Sequence, residues 1–116
     1  MSARKGGAAR RLDERDAAPV FSALGDGTRL RLVARLCREG PLSITQLREG
    51  TEITRQAVTK HLHALEEAGL AHGTRQGREQ VWSLETKRLE VARRYLDDVS
   101  VQWDAALGRL RELVEG

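Results

Sequence analysis

Residues 54–70 read TRQAVTKHLHALEEAGL, and the way this stretch is charged decides what fold surrounds it. Thr54, Arg55, Gln56, Thr59, Lys60 and the histidines at 61 and 63 come first, and no acid appears before Glu66 and Glu67. A helix dipole favours the reverse order, acids at the start and bases at the end. The apolar residues nevertheless repeat as on a helix. Val58, Leu62 and Leu65 make a stripe with Ala57 and Ala68 at its edges, while Arg55, Gln56, Thr59, Lys60 and His63 recur three, four and seven apart on the other face. A helix N-terminus already attracts phosphate, and bases placed there compound the attraction. Arg and Lys can donate to guanine, Gln can bond adenine bidentately, and Thr can serve bases or phosphate. The two glutamates lie roughly 10–15 Å farther along the axis, away from a duplex. The charge order is therefore the one expected of a helix laid into a major groove.

Upstream, the chain supplies what such a helix needs. Ser43 followed three residues later by Gln46 is a capping-box signature for a short helix, SITQLREG, with Ile44 and Leu47 inward. A brief turn, TEI, leads to Thr54 as cap of the quoted helix. Helix, tight turn and helix is the outline of a helix-turn-helix, in which the N-terminal part of the second helix meets base edges. Ser43, Thr45 and Thr54 join the candidate DNA contacts on that outline. Before it, residues 17–24 read as a short helix with Val20, Phe21 and Leu24 inward. The glycines of GDG at 25–27 break it, and Asp26 or Thr28 caps a helix over about 28–38 with Leu30, Val33, Leu36 and Cys37 at helical spacing. Cys37 is expected to be buried. Gly40 and Pro41 stop that helix.

Downstream the period changes. Gly69 ends the quoted helix, and residues 70–74 and 80–84 read as two short strands around RQGRE, with Gly77 in the turn. A hairpin directly after a recognition-type helix is a wing. Arg75, Gln76 and Arg78 stand at its tip, placed for phosphate or minor-groove contact. Residues 86–115 then run without proline, and Leu89, Ala92, Leu96, Val99, Trp103, Ala106, Leu110 and Leu113 step by 3, 4, 3, 4, 3, 4, 3. That is an unbroken a/d seam. A helix of about 30 residues is about 45 Å long, more than one side of so small a domain can cover. Part of the seam is expected to face a second copy of the chain, with Phe21 beside it. Tyr95 and Trp103 are read as packing at that interface rather than as the lining of a small-molecule pocket.

Bulk properties agree and exclude much. The 116 residues are one domain's worth of chain, 40% hydrophobic and 32% charged, with aromatics at only 3%. No apolar run approaches the roughly 20 residues of a membrane span, the N-terminus lacks the apolar core of a secretory signal, and a single cysteine rules out an internal disulfide, so a cytoplasmic home is expected. Net charge is +3, and residues 1–15, with five bases and two acids, account for that excess. Residues 1–12 are accordingly expected to form a flexible basic arm, 13–85 a winged helix-turn-helix, and 86–116 a dimerisation helix of the same domain.

LGDGTRLRLVARL, LSITQL, TRQAVTKHLHALEEAGL and GREQVWSL together resemble the ArsR/SmtB-type winged-helix repressors of bacteria, over residues 17–115. The resemblance implies a mainly α fold with a small β-hairpin wing and a long C-terminal dimerisation helix. It also implies a homodimer joined through its first and last helices, bound to an imperfect inverted repeat of double-stranded DNA and blocking transcription until a signal weakens its hold. The family's DNA-contacting helix positions fall on Arg55, Gln56, Thr59 and Lys60. Two departures stand out: Gly27 where the family usually has proline, and Thr51–Glu52 where the turn usually has an apolar residue and glycine.

Many relatives in that group sense metals, and this chain lacks the means. The thiolate site needs a Cys-x-Cys cluster, whereas Cys37 is the one cysteine; the C-terminal-helix site needs histidine, whereas His61, His63 and His72 are the three in the chain. No metal or cofactor is expected, and His61 is read as a packed or networked residue. An unidentified small-molecule inducer is left open. No nucleophile–base motif or phosphate loop suggests an enzyme. The remaining rival is a helical protein-interaction module, such as an antitoxin or anti-activator, for which the 55–63 face would be dispensable.

Overall fold

The computed structural model describes residues 14–115; the basic arm expected at residues 1–12 lies outside them. Helix α1, Glu14–Leu24, starts three residues before the position suggested by its apolar pattern. Its first turn carries Glu14 and Asp16, which suit the positive end of the dipole. It buries Ala17, Val20 and Ala23. Helix α2, Gly27–Glu39, is capped by Asp26, whose carboxylate accepts from the Thr28 N–H at 2.8 Å and the Arg29 N–H at 3.1 Å. The Arg29 amide is the main reason this carboxyl titrates below its ordinary value. Asp26 thus does the work that the proline missing at position 27 cannot.

Helix α2 buries Leu36 and half-buries Val33 as expected, but its inward side is shifted from the one expected. Leu32 and Leu36 are buried with Val33 against them, while Leu30 is 51% exposed and Cys37 is exposed rather than buried. At 3.6 residues per turn the apolar residues 30, 32, 33, 36 and 37 span an arc of roughly 160°, with Leu32 and Leu36 toward one edge and Leu30 and Cys37 at the other. Periodicity alone does not choose between two registers there; the packing of α2 on the rest of the core does.

After Gly40 comes a two-residue strand that sequence reading missed, β1 at Leu42–Ser43, followed at once by helix α3, Ile44–Arg48. Helix α4 spans Arg55–Glu67 and buries Val58, Leu62 and Leu65, as its stripe predicts. Its end is a Schellman stop. Leu70 N–H reaches Leu65 O at 2.8 Å, Gly69 N–H reaches Glu66 O at 2.9 Å, and Gly69 takes φ +79°. Strands β2, Ala71–Gln76, and β3, Glu79–Leu84, form an antiparallel hairpin. Gly77, with φ +64°, is its first turn residue and Arg78 its second, the order of a type II′ turn. The sheet runs β1–β3–β2, with Leu42 opposite Trp82. Trp82, 1% exposed on the middle strand, is among the largest fully buried side chains.

Helix α5, Thr86–Glu115, is 30 residues long. Helix α1 packs along its first turns: Ala92 is buried, Leu89 packs on the core, and the Phe21 and Tyr95 rings meet edge to face at 5.9 Å. Beyond Tyr95 the same stripe is bare. Leu96 is 53% exposed, Trp103 62% and Leu110 56%. Among the described residues, no helix is long and apolar enough to cross a membrane.

Candidate nucleic-acid interface

The site is built from the two helices whose N-termini the chain caps with hydroxyls. Ser43 Oγ accepts from the Gln46 N–H at 3.2 Å and the Gln46 amide oxygen accepts from the Ser43 N–H at 2.9 Å, which closes the capping box. Thr54 Oγ1 accepts from the Ala57 N–H at 3.0 Å. Between them Gly50, at φ +78°, makes the turn. Thr51 Oγ1 donates to Arg48 O at 2.9 Å and accepts from the Ile53 N–H, and the Arg48 guanidinium donates to Ile53 O. The departure at Thr51 is therefore accommodated by side-chain hydrogen bonds that hold the turn.

On α4, Arg55, Gln56, Thr59 and Lys60 together line one shallow depression open to solvent. Its first turn holds no acid. The Thr59 hydroxyl donates back to Arg55 O at 2.8 Å, which leaves its methyl and one lone-pair side outward. Arg55 reaches across to the Thr45 hydroxyl at 3.5 Å, so α3 contributes Thr45 to the same surface. His63 stands farther along, 60% exposed, with Nδ1 3.4 Å from Glu66 and its ring edge-on to Trp82 at 5.5 Å. The structure thus gathers six of the expected residues into one face of α3 and α4: Thr45, Arg55, Gln56, Thr59, Lys60 and His63.

Ser43 does not belong to that face. It is 5% exposed and spends its hydroxyl on the cap, so it is corrected to a structural residue. Thr54 is exposed, but its oxygen is likewise engaged in capping. At the far end of the hairpin Arg75, Gln76 and Arg78 are all exposed, and Glu79 pairs with Gln76 in the strand register. His61 behaves as a networked residue. Its Nδ1 lies 3.3 Å from the Arg29 guanidinium, which also donates to Ala23 O at 2.6 Å and so ties α1, α2 and α4 together. Sequence reasoning passed over Trp82 as a contributor. Its ring meets that of His63 edge to face at 5.5 Å, a contact that depends on the central position of β3.

Of the residues expected at a chain–chain interface, Leu96, Val99, Trp103 and Leu110 are exposed and Ala106 partly so. Ala92 is corrected, since it is buried within the chain beneath α1, and Leu89 is half-buried against the same core; Phe21, which α1 itself carries, is half-buried with its ring on Tyr95. Among the described residues no cluster of three or more His, Cys, Asp or Glu side chains could hold a metal ion.

A capped helix, a hydrogen-bonded turn, a second helix with an exposed cationic start and a β-hairpin behind it define a winged helix-turn-helix. The comparisons agree. The family described as "Helix-turn-helix domain" matches residues 24–74. The HTH-type transcriptional regulator Rv2034 of Mycobacterium tuberculosis is 34% identical over 96 residues, covering 83% of this chain and 86% of that protein. An ArsR-like transcriptional regulator from Rhodococcus sp. RHA1 superposes with a TM-score of 0.69 at 31% identity, covering 85% of this chain and 92% of the other. The homodimeric winged helix-turn-helix DNA-binding domain Mb0332 of Mycobacterium bovis, known from solution NMR, gives 0.59 at 26% identity over 94% and 93% of the two chains. The chain belongs to the ArsR-type winged helix-turn-helix transcriptional regulators, and it is a DNA-binding regulator rather than an enzyme.

Proposed function

We propose that the protein is a cytoplasmic homodimeric repressor that sets the start of α4 into the major groove at each half of an inverted-repeat operator. One observation carries this reading: Arg55, Gln56, Thr59 and Lys60 share one solvent-facing surface at the end of α4 where a helix gains most from acids and this one has none. Arg55 and Gln56 project from the first turn toward base edges; Lys60 and the Thr45 hydroxyl serve flanking phosphates. The hairpin tip, through Arg75, Gln76 and Arg78, follows the neighbouring minor groove or its phosphates. The second copy docks on the bare part of the α5 seam from Leu96 to Leu110. In support, that stripe is apolar and exposed along the outer half of the helix, and the Mycobacterium bovis neighbour is a homodimer. Repression follows from occupancy, since a dimer spanning a promoter excludes polymerase.

Fluorescence anisotropy on the duplex the protein selects from a randomised pool tests the reading. With six or more phosphate contacts per dimer, affinity falls by about 10³-fold or more between about 50 and 200 mM salt. A nearly flat salt dependence would remove groove-and-phosphate binding from consideration.

A further inference from the structure

A cavity of about 220 Å³ lies between α2 and the turn joining α3 to α4, and none of Arg55, Gln56, Thr59 and Lys60 lines it. Leu32, Leu47, Ile53 and Val58 give it apolar walls. Along its mouth α2 sets Arg31, Arg35 and Arg38, spaced four and three apart and therefore on one side of the helix.

These three guanidinium groups are not equivalent. Arg35 is committed: it holds Glu39 through two nitrogens at 3.0 and 3.1 Å and donates to Gln46 O and Leu47 O, which fixes α3 against α2 as one wall. Among the described residues, Arg31 reaches only the Thr28 hydroxyl, at 3.4 Å. Neither Arg31 nor Arg38 has a carboxylate within ion-pair distance among the described residues. Two guanidinium forks outside any ion pair among the described residues, beside an apolar recess, match an anion with an apolar body. A carboxylate takes bidentate hydrogen bonds from such a fork, and the recess removes the body from water. The cavity is smaller than the roughly 300–1,000 Å³ typical of sites for drug-sized ligands, so its occupant is compact.

We propose that this cavity binds a small organic acid, a monocarboxylate with a ring or short branched chain, its carboxylate on Arg31 and Arg38 and its body between Leu32, Leu47, Ile53 and Val58. The occupant touches α2, α3, the turn and α4 together, the parts that aim Arg55 and Gln56. Occupancy therefore alters operator affinity, a consequence that rests on the DNA-binding reading, whereas acid binding itself does not.

Methyl NMR of the full chain, titrated with benzoate, cyclohexanecarboxylate and hexanoate, tests the site. Benzamide serves as the neutral counterpart of benzoate and acetate as an anion without an apolar body. At least one of the three acids should shift the Leu32, Leu47, Ile53 and Val58 methyls with a dissociation constant below about 1 mM. An R31Q/R38Q variant, altered only at exposed positions, should weaken that binding about tenfold or more, R31K/R38K should largely restore it, and benzamide and acetate should bind more weakly. Absence of these shifts with all three acids at about 10 mM, equal binding of benzamide, or unaltered affinity in R31Q/R38Q would overturn the proposal. So would an R31Q/R38Q variant whose one defect is a shallower salt dependence on DNA, since the arginines would then be phosphate contacts. In the DNA arm, an acid that changes duplex affinity must see its own affinity change by the same factor when duplex is present. A protein that shows the methyl shifts but binds no duplex would keep the acid site and discard the DNA reading.

Discussion

Helices α4 and α5 each carry an apolar stripe at regular helical spacing, and the chain treats the two stripes in opposite ways. On α4, Val58 is 1% exposed and Leu62 and Leu65 are fully buried, so the stripe is spent on the fold and the polar face is left for function. On α5, Ala92 is covered by α1, but Leu96, Trp103 and Leu110 are all more than half exposed. Burying a leucine or valine side chain is worth about 1.5–3 kcal/mol, so an exposed run of such residues forgoes a large stabilisation unless something else covers it. The difference teaches that similar periodicity marks a core in one place and a docking surface in another. What separates them is whether the rest of the chain has anything left to pack there.

Four perturbations sharpen that contrast, the largest first. Trp103→Asp should turn the dimer into monomers in light scattering while leaving helix content intact by circular dichroism. A two-fold interface would hold the new charge twice, and each uncompensated carboxylate costs several kcal/mol, on the order of 3–5. Operator affinity should fall about a hundredfold with it. A dimer that persists would move the interface off the α5 stripe. Leu62→Ala acts on the other stripe, and should lower the unfolding free energy by about 3 kcal/mol in denaturant titration because it opens a cavity in a closed core. A loss below about 1 kcal/mol would mean that the α4 stripe is less tightly enclosed than its burial indicates.

Ser43→Ala should cost about 1 kcal/mol of stability through loss of the α3 cap, with duplex affinity per folded molecule unchanged. A clear loss of affinity at full stability would return Ser43 to the DNA surface. The smallest effect concerns Asp26. Its carboxyl titrates below the ordinary 3.8 in the folded chain, so its stabilising contribution is complete above that value and is lost as pH falls through the lower folded one. Melting profiles of Asp26→Asn and the parent should therefore differ in midpoint at neutral pH and converge in acid. Parallel curves down to pH about 2 would show that the negative charge of Asp26 adds nothing to the cap.

How much of this was legible in the sequence depends on how local each feature is. The stripe of α4 and the cap at Thr54 are set within a few residues, and both stand where the pattern put them. So does the hairpin, because Gly77 alone supplies the turn's positive φ. Leu30 and Cys37 are expected inward and face outward, since they stand at one edge of a broad apolar arc on α2 and only the packed core decides which edge it uses. Strand β1 is two residues long, too short to show a period, and exists because Leu42 meets Trp82 on β3. Ser43 illustrates a different limit: one hydroxyl suits both a cap and a phosphate, and burial settles which. The α5 seam was legible as a seam, but where α1 stops covering it is a tertiary fact, marked by the Phe21–Tyr95 contact.

The most direct measurement is sedimentation of an Arg55→Ala/Lys60→Ala variant beside the parent protein, each with and without the selected duplex. The account predicts that both sediment alone as dimers, that the parent binds as two chains per duplex, and that the variant leaves the duplex free at protein concentrations that saturate the parent. A monomeric parent, or a variant that occupies the duplex as fully as the parent does, would contradict it.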